Sequence, residues 1–286
     1  MFSKVFDPNK IDTLQQESLK TSINDIDILL RQKRFTLADF PKLLSPAASE
    51  RIEQLAQRSR DLTIQRFGHT MQLFMPLYLS NVCFNTCTYC GFSIENKFKR
   101  ITLGEDEIIK EAMLLKEKGI QHLLLLTGEA PGKVGVDYIS AAVKQLSPHF
   151  ASIGIEVQPF ETDEYEMLIS SGADSLTLYQ ETYHPDAYKT YHTRGKKKNF
   201  SYRLDAPDKG GKAGFYRINL GALLGLYDWR FESIALATHL DYMQRHYWKT
   251  KYAVSFPRIK EMFKDFSPEH IVSDLDIVQF ITAFRL

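Results

Sequence analysis

All three cysteines of the chain fall in one eight-residue stretch, Cys83-Phe-Asn-Thr-Cys87-Thr-Tyr-Cys90. An odd number crowded together cannot form a disulfide framework, so the stretch is a metal site or a reactive-thiol site. The C-x3-C-x2-C spacing lets three thiolates converge on one small inorganic cluster. Structural zinc sites and ordinary iron–sulfur sites take four protein ligands. A cubane held by three leaves one iron open, and open positions are where catalytic metals take their substrates. The bland alternative is a Cys3His zinc knuckle. Its fourth ligand would come from the eight histidines, of which His69 and His122 lie nearest in sequence. Tyr89, before the last cysteine, and Gly91-Phe92 after it suit a tight loop with an aromatic wall.

The elements that must position this loop are short apolar runs alternating with amphipathic helices from about Met75 onward. Strands are expected at Met75–Ser80, leading directly into the cysteines, and at Leu123–Thr127, Ile153–Val157, Ser175–Tyr179, Phe215–Leu220 and Tyr252–Phe256. Helices are expected at Glu105–Lys118, stopping at Gly119, and near Asp137–Leu146, with Asp137 as N-cap. Others are expected at Asp163–Ser171, closed by Gly172, from about Pro185, at Arg230–Trp248 and near Asp274–Phe284. Six strands with a helix after each predict a parallel sheet. No Gly-rich dinucleotide fingerprint follows the first strand, and the chemistry sits after several different strands. Both features favour a TIM-type (βα) barrel over a doubly wound sheet, with the active face at the strand C-termini.

Residues 1–74 read as a helical N-terminal segment packing on a barrel core of residues 75–286, with Asp25–Leu30 and Ser49–Arg58 at helical spacing. Six β/α units are two short of a closed barrel. The last residues, Ile281-Thr-Ala-Phe-Arg-Leu286, still follow an apolar helical pattern. The expectation is therefore a C-terminally truncated, incomplete barrel.

The chain of 286 residues carries 36 Lys and Arg against 35 Asp and Glu, a formal charge of +1. That balance argues against broad nucleic-acid binding and polybasic membrane docking. The longest aliphatic run, Leu123–Leu126, is far below a membrane span, and a cytoplasmic protein is the default expectation.

The cysteine loop with an aromatic before its last cysteine resembles the signature of radical S-adenosylmethionine (SAM) enzymes. The longer match, Pro76–Cys83 through Cys90-Gly-Phe-Ser93 to Lys99-Arg100, is similar to the tyrosine lyases, and most resembles the 2-iminoacetate synthases of thiamine (thiazole) biosynthesis. The resemblance continues through Leu124–Glu129, Val157-Gln-Pro159, Tyr179–His184, Asn219–Leu226, His246-Tyr-Trp248 and Ser255-Phe-Pro-Arg258. It implies a [4Fe-4S] cluster on Cys83, Cys87 and Cys90, with SAM chelated at the open iron. It also implies a 5′-deoxyadenosyl radical that takes a hydrogen atom from the amino group of L-tyrosine. Cleavage of the Cα–Cβ bond would then give 2-iminoacetate and p-cresol. The partners it implies are thiazole synthase and a reductant such as flavodoxin or ferredoxin.

By the same resemblance, Tyr89 lies beside the cofactor. Gly128-Glu129 matches a glycine–glutamate motif at the methionyl amino group, with Thr127 where many relatives have a first glycine. Glu181 and Arg203 match SAM-contacting residues, a guanidinium fork suiting a carboxylate. By their positions after the fifth strand, Gly221 and Gly225 would either let adenine lie against backbone or form a turn into the next helix. Arg258, ending the sixth strand and expected to point into the barrel mouth, would either hold the tyrosine carboxylate or neutralise nearby acids. Two rival readings are the tyrosine lyase of hydrogenase maturation and a non-enzymatic metal-binding remnant. The basic run Arg194–Lys198 reads as a solvated loop, or less readily as a docking edge for an acidic partner. His122, His239 and His246 read as packing histidines.

Overall fold

Residues 1–260 and 266–286 are described by a computed structural model. The apolar runs form β1 (Met75–Ser80), β3 (His122–Thr127), β4 (Ser152–Glu156), β5 (Ser175–Glu181), β7 (Arg217–Ala222) and β8 (Lys251–Ser255). They lie in one sheet in the order β1-β3-β4-β5-β7-β8, every neighbouring pair parallel. Strand order that never reverses is the arrangement of a barrel wall rather than of a doubly wound sheet. Among the described residues β1 and β8 do not pair, so the six strands form an open part of a TIM-type barrel. Two short strands that the apolar pattern does not signal, β2 (Thr86–Cys87) and β6 (His192–Arg194), pair antiparallel across the barrel mouth.

Helix boundaries follow local chemistry. Glu107 and Glu164 reach back to accept from the Gly104 and Glu161 backbone N–H groups, both at 2.8 Å, starting helices Glu105–Glu117 and Thr162–Ser170. Gly119 and Gly172 take φ of 85° and 115° just beyond the ends of those helices, a conformation glycine reaches without strain. Asp137 is not the N-cap of helix Val136–Leu146. Gly135 holds that place, and Asp137 sits in the first turn, where its charge still favours the positive helix end.

The N-terminal residues include helices Pro8–Ser18, Ile23–Leu29 and Ile52–Phe67. The first escaped the periodicity reading although its start is written in the sequence. Asp7 accepts from Asn9 N–H at 3.0 Å, and Pro8 fills the first helical position. This helix packs on helix Trp229–His246, and Phe2 stacks on buried His239 with ring centroids 4.1 Å apart. No helix among the described residues is long and apolar enough to cross a membrane.

Helix Asp274–Arg285 joins the two ends of the chain. Phe280 is fully buried, 4.3 Å from the Phe256 ring and 4.6 Å from Phe284, which meets Phe40 at 4.8 Å. The Gln279 amide donates to the Leu43 and Ser45 carbonyls at 2.9 and 2.8 Å. Truncating Phe280→Ala is therefore expected to cost about 3 kcal/mol of unfolding free energy. Chemical denaturation checks this, and a loss under about 1 kcal/mol would mean that the helix contributes little to the core.

Candidate active site

Residues at the C-terminal ends of β1, β3, β4 and β5 meet the cysteine loop around a cavity of about 350 Å³. Cys83, Cys87, Cys90, Tyr89, Gly128, Glu129, Glu181 and Arg203 all line it. The loop is held chiefly through its backbone. Arg100 donates to the Asn81 and Phe92 carbonyls at 2.7 and 2.9 Å and to those of Ser93 and Asn96 at 2.7 and 3.2 Å, stitching the loop's two ends together. Gly128 lets the loop close on β3, because a Cβ there would lie 2.2 Å from the Val82 carbonyl oxygen. Phe84 N–H donates to the Glu129 carbonyl at 2.9 Å. Cys87 is paired in register with His192, whose Nε2 lies 2.8 Å from the Tyr89 hydroxyl.

Four charged groups of the cavity, Glu129, Glu181, Lys197 and Arg203, form one network. Arg203 donates to Glu129 Oε1 at 2.7 Å, to Glu181 Oε1 at 3.3 Å and to the Tyr179 carbonyl at 2.6 Å. Asn85 donates to Glu129 Oε2 at 2.7 Å. Lys197 pairs with Glu181 Oε1 at 2.7 Å, with only 13% of its side chain exposed. The basic run is thus not simply solvated. Its three-residue 3-10 turn, Lys196–Lys198, turns one lysine inward and leaves Lys196 and Lys198 exposed. Burial alone would raise the Glu181 carboxyl, but Lys197 and Arg203 hold it below its ordinary range. Burial pushes the Cys87 thiol up to about 12 and raises Cys90 as well, against the pull of Lys197. Metal binding at these thiols would accordingly release protons.

Glu181 sits on strained backbone. It is the one non-glycine among the described residues with positive φ, at 72°, where the β5–β7 register shifts. Its carbonyl accepts from Leu223 N–H at 2.7 Å. The next two residues are gripped by buried Glu232, which pairs with the Thr182 hydroxyl at 2.5 Å and accepts from Tyr183 N–H at 2.8 Å. Burial raises the Glu232 carboxyl to about 8.

Three expected site residues stand apart from this cavity. A Cβ on Gly221 would meet the Tyr179 ring at 2.4 Å and the Ser255 carbonyl oxygen at 2.5 Å, so packing, not an open face for adenine, occupies that position. Gly225, at φ 118°, faces the Ile259 and Pro268 side chains. Arg258 does not point into the barrel mouth. Its guanidinium donates to the Val272 carbonyl at 2.8 Å and to Asp274 at 2.5 Å, at the start of the last helix. Asn85 and Glu232 carry no signal of chemistry in the sequence beyond their types, while Arg100, within the matched stretch, and Lys197, within the basic run, have no role at the site assigned to them there. His239 bonds the Tyr183 hydroxyl at 3.0 Å, and His246 bonds the Tyr242 carbonyl at 2.8 Å, both as packing groups. Half-buried His122 meets the Gln72 amide at 3.2 Å.

The Radical SAM superfamily model matches residues 77–237, which carry the cysteine loop, the three cavity glutamates and Arg203. The chain belongs to this superfamily. It is 48% identical to the 2-iminoacetate synthase of Escherichia coli (strain K12) over 92% of its own length and 70% of that enzyme's. It is 43% identical to the Salmonella typhimurium enzyme, over 96% and 74%. The crystal structure of HydG, a maturase of the [FeFe]-hydrogenase, superposes with a TM-score of 0.91 at 27% identity, covering 97% of this chain and 64% of that one. Methylornithine synthase shares the fold, with a TM-score of 0.67 at 20% identity. The chain is thus a radical SAM enzyme homologous to a carbon–carbon lyase, and membership implies SAM and a [4Fe-4S] cluster.

The cavity fits both groups. The three thiols face it with no histidine among the described lining residues to complete a zinc knuckle. Among the described residues no three acidic, Cys or His side chains are gathered as for a single metal ion. Cys90 Sγ accepts from Phe92 N–H at 3.4 Å, a bond that favours the thiolate. Thr127 Oγ1 on the cavity wall is buried with no hydrogen-bond partner, an orphan that a polar ligand group would satisfy.

Removing one partner of the buried network should be costly. Lys197→Met is expected to lower stability by about 3 kcal/mol. Lys196→Met, one residue away and exposed, should stay within about 0.5 kcal/mol of wild type. Urea titration distinguishes them, and equal effects would return the run to a solvated loop. A carboxyl whose pKa is raised in the fold contributes stability that is full below its ordinary value and lost as pH rises through its folded value. For Glu232 that loss runs from about 4.5 to about 8. Relative to Glu232→Gln, the wild type should therefore lose melting temperature between pH 6 and pH 8.5. A difference that does not change with pH would contradict this.

Proposed function

We propose that the chain cleaves the Cα–Cβ bond of L-tyrosine to 2-iminoacetate and p-cresol for thiamine thiazole formation. The observation that carries this reading is the three-thiol loop, opening with no fourth protein ligand among the described residues onto a cavity that holds two ion-paired glutamates, in a chain 48% identical to a 2-iminoacetate synthase. Cys83, Cys87 and Cys90 would hold the cluster. Together the cluster and SAM supply, when bound, the electron and the radical initiator that the hydrogen abstraction needs.

The protein's own contribution is placement. Arg203 and Lys197 stay charged because Glu129 and Glu181 neutralise them. The set therefore offers a zwitterionic ligand a cationic and an anionic contact without an unbalanced charge in the barrel. Glu181 Oε1 takes both cations, and its Oε2 accepts no hydrogen bond among the described residues. That oxygen is free for a ligand ammonium or hydroxyl. Tyr89, half-buried and fixed by His192, walls the cluster side against water. In this reading thiazole synthase consumes the imine, and flavodoxin or ferredoxin supplies the electron.

A second reading follows from the close superposition on HydG, whose chemistry serves hydrogenase maturation. The higher identity to 2-iminoacetate synthases favours the first. Anaerobic reconstitution followed by product analysis decides between them. The expected result is a reduced-cluster paramagnetic signal perturbed by SAM, with p-cresol and 2-iminoacetate formed in equal amounts and both abolished by Cys87→Ser. Carbon monoxide and cyanide as products would favour the maturase reading. Stoichiometric zinc with no iron would overturn both.

A further inference from the structure

Among the described residues, every charged group on the cavity wall has a partner except one. Glu129, Glu181, Arg203 and Lys197 neutralise one another. Glu156, the last residue of β4, lines the same cavity half-buried, and no hydrogen bond or ion pair reaches its carboxyl among the described residues. Strand register fixes its depth. It pairs with Leu126 on β3, three residues before Glu129. Extending the β4–β5 register by one residue from Ile155↔Leu176 sets it beside Thr177, four residues before Glu181. At about 3.3 Å per residue, Glu156 lies roughly 10 Å deeper along the strands than the paired charges.

The groups facing it are Tyr179 and Glu181 from β5, Lys197 from the 3-10 turn and Arg203 from helix Phe200–Leu204. Burial, with Glu181 adding to it, raises the carboxyl to about 7, while Arg203 and Lys197 pull it down without bonding to it. An unpaired carboxyl in a cleft is an expensive feature unless a ligand supplies its partner.

We propose that Glu156 is the anchor for the α-ammonium group of the amino-acid substrate, held below the layer of charges that takes the cofactor. This rests on the tyrosine-lyase reading. The paired layer has no net charge to offer a second zwitterion, whereas the deeper carboxylate offers a single contact suited to an ammonium group. The adjacent Tyr179 ring and Leu126 give the aromatic side chain an apolar wall. Glu156 thereby fixes which end of the substrate's Cα faces the radical initiator.

The test is equilibrium dialysis with reconstituted, unreduced enzyme saturated with SAM, so that binding is read without turnover. Two ligands are compared: L-tyrosine and 3-(4-hydroxyphenyl)propanoate, which lacks the amino group. Glu156→Gln should weaken L-tyrosine about tenfold or more, leave the deaminated ligand within about twofold, and be partly rescued by Glu156→Asp. Wild-type affinity for L-tyrosine should rise as pH passes upward through 7, a trend absent in the Gln variant. Equal weakening of both ligands, or unchanged L-tyrosine binding, overturns the proposal and leaves tyrosine as substrate. Failure of the wild type itself to bind L-tyrosine overturns the substrate reading and the anchor with it.

Discussion

The site depends on one guanidinium. Arg203 is nine-tenths buried and spans from Glu129, which follows β3, to Glu181, which ends β5, while also holding the Tyr179 carbonyl. Its two acids lie 74 and 22 residues away in sequence, so the side chain ties segments that only the folded barrel brings together. A buried ion network of this kind contributes little net stability, because desolvation offsets most of its attraction. What it contributes is arrangement: three carboxylate oxygens are fixed by Arg203, Lys197 and Asn85 before any ligand arrives. Preorganised charge needs no reorganisation when a charged cofactor binds, which is the useful property at a site that must then exclude water.

Around that network the fold spends backbone contacts rather than side chains on the metal loop. Arg100 binds the carbonyls on both sides of the cysteines, and Gly128 admits the loop's backbone where any Cβ would collide. The β2–β6 pairing then links Cys87 to the segment that carries Lys197. Cluster loop and charge network are thereby one mechanical unit, and a shift in the Lys196–Lys198 turn would be felt at both.

Much of this was legible before the structure. Strands buried on both faces read as continuous apolar runs, which is why the six parallel strands appear in the sequence within one or two residues of their observed ends. The crowding of the cysteines is equally visible. The misses share a cause: they concern which way a side chain points. Lys197 sits in a run whose composition says solvent, and only the register of a three-residue turn sends it inward. Arg258 and Gly221 occupy strand ends that a barrel makes suspect, yet one guanidinium is spent on a helix start and one glycine on the Tyr179 ring. Glu156 looks like any acid at the end of a strand until the register shows its depth.

The comparison with HydG separates frame from chemistry. At 27% identity the two chains superpose with a TM-score of 0.91, so the open barrel wall and its helices tolerate wide replacement of residues. What such a frame cannot supply by shape alone is the strained turn at Glu181, which costs on the order of 1–3 kcal/mol and persists only where neighbours over-determine it. Here buried Glu232 binds the two residues that follow, and a β-bulge absorbs the register. A carboxyl raised by burial to about 8 is protonated at neutral pH, so it holds the turn without adding negative charge behind the cavity. The strain is thus carried by a neutral group, and the charges of the network remain balanced against one another and available to a ligand.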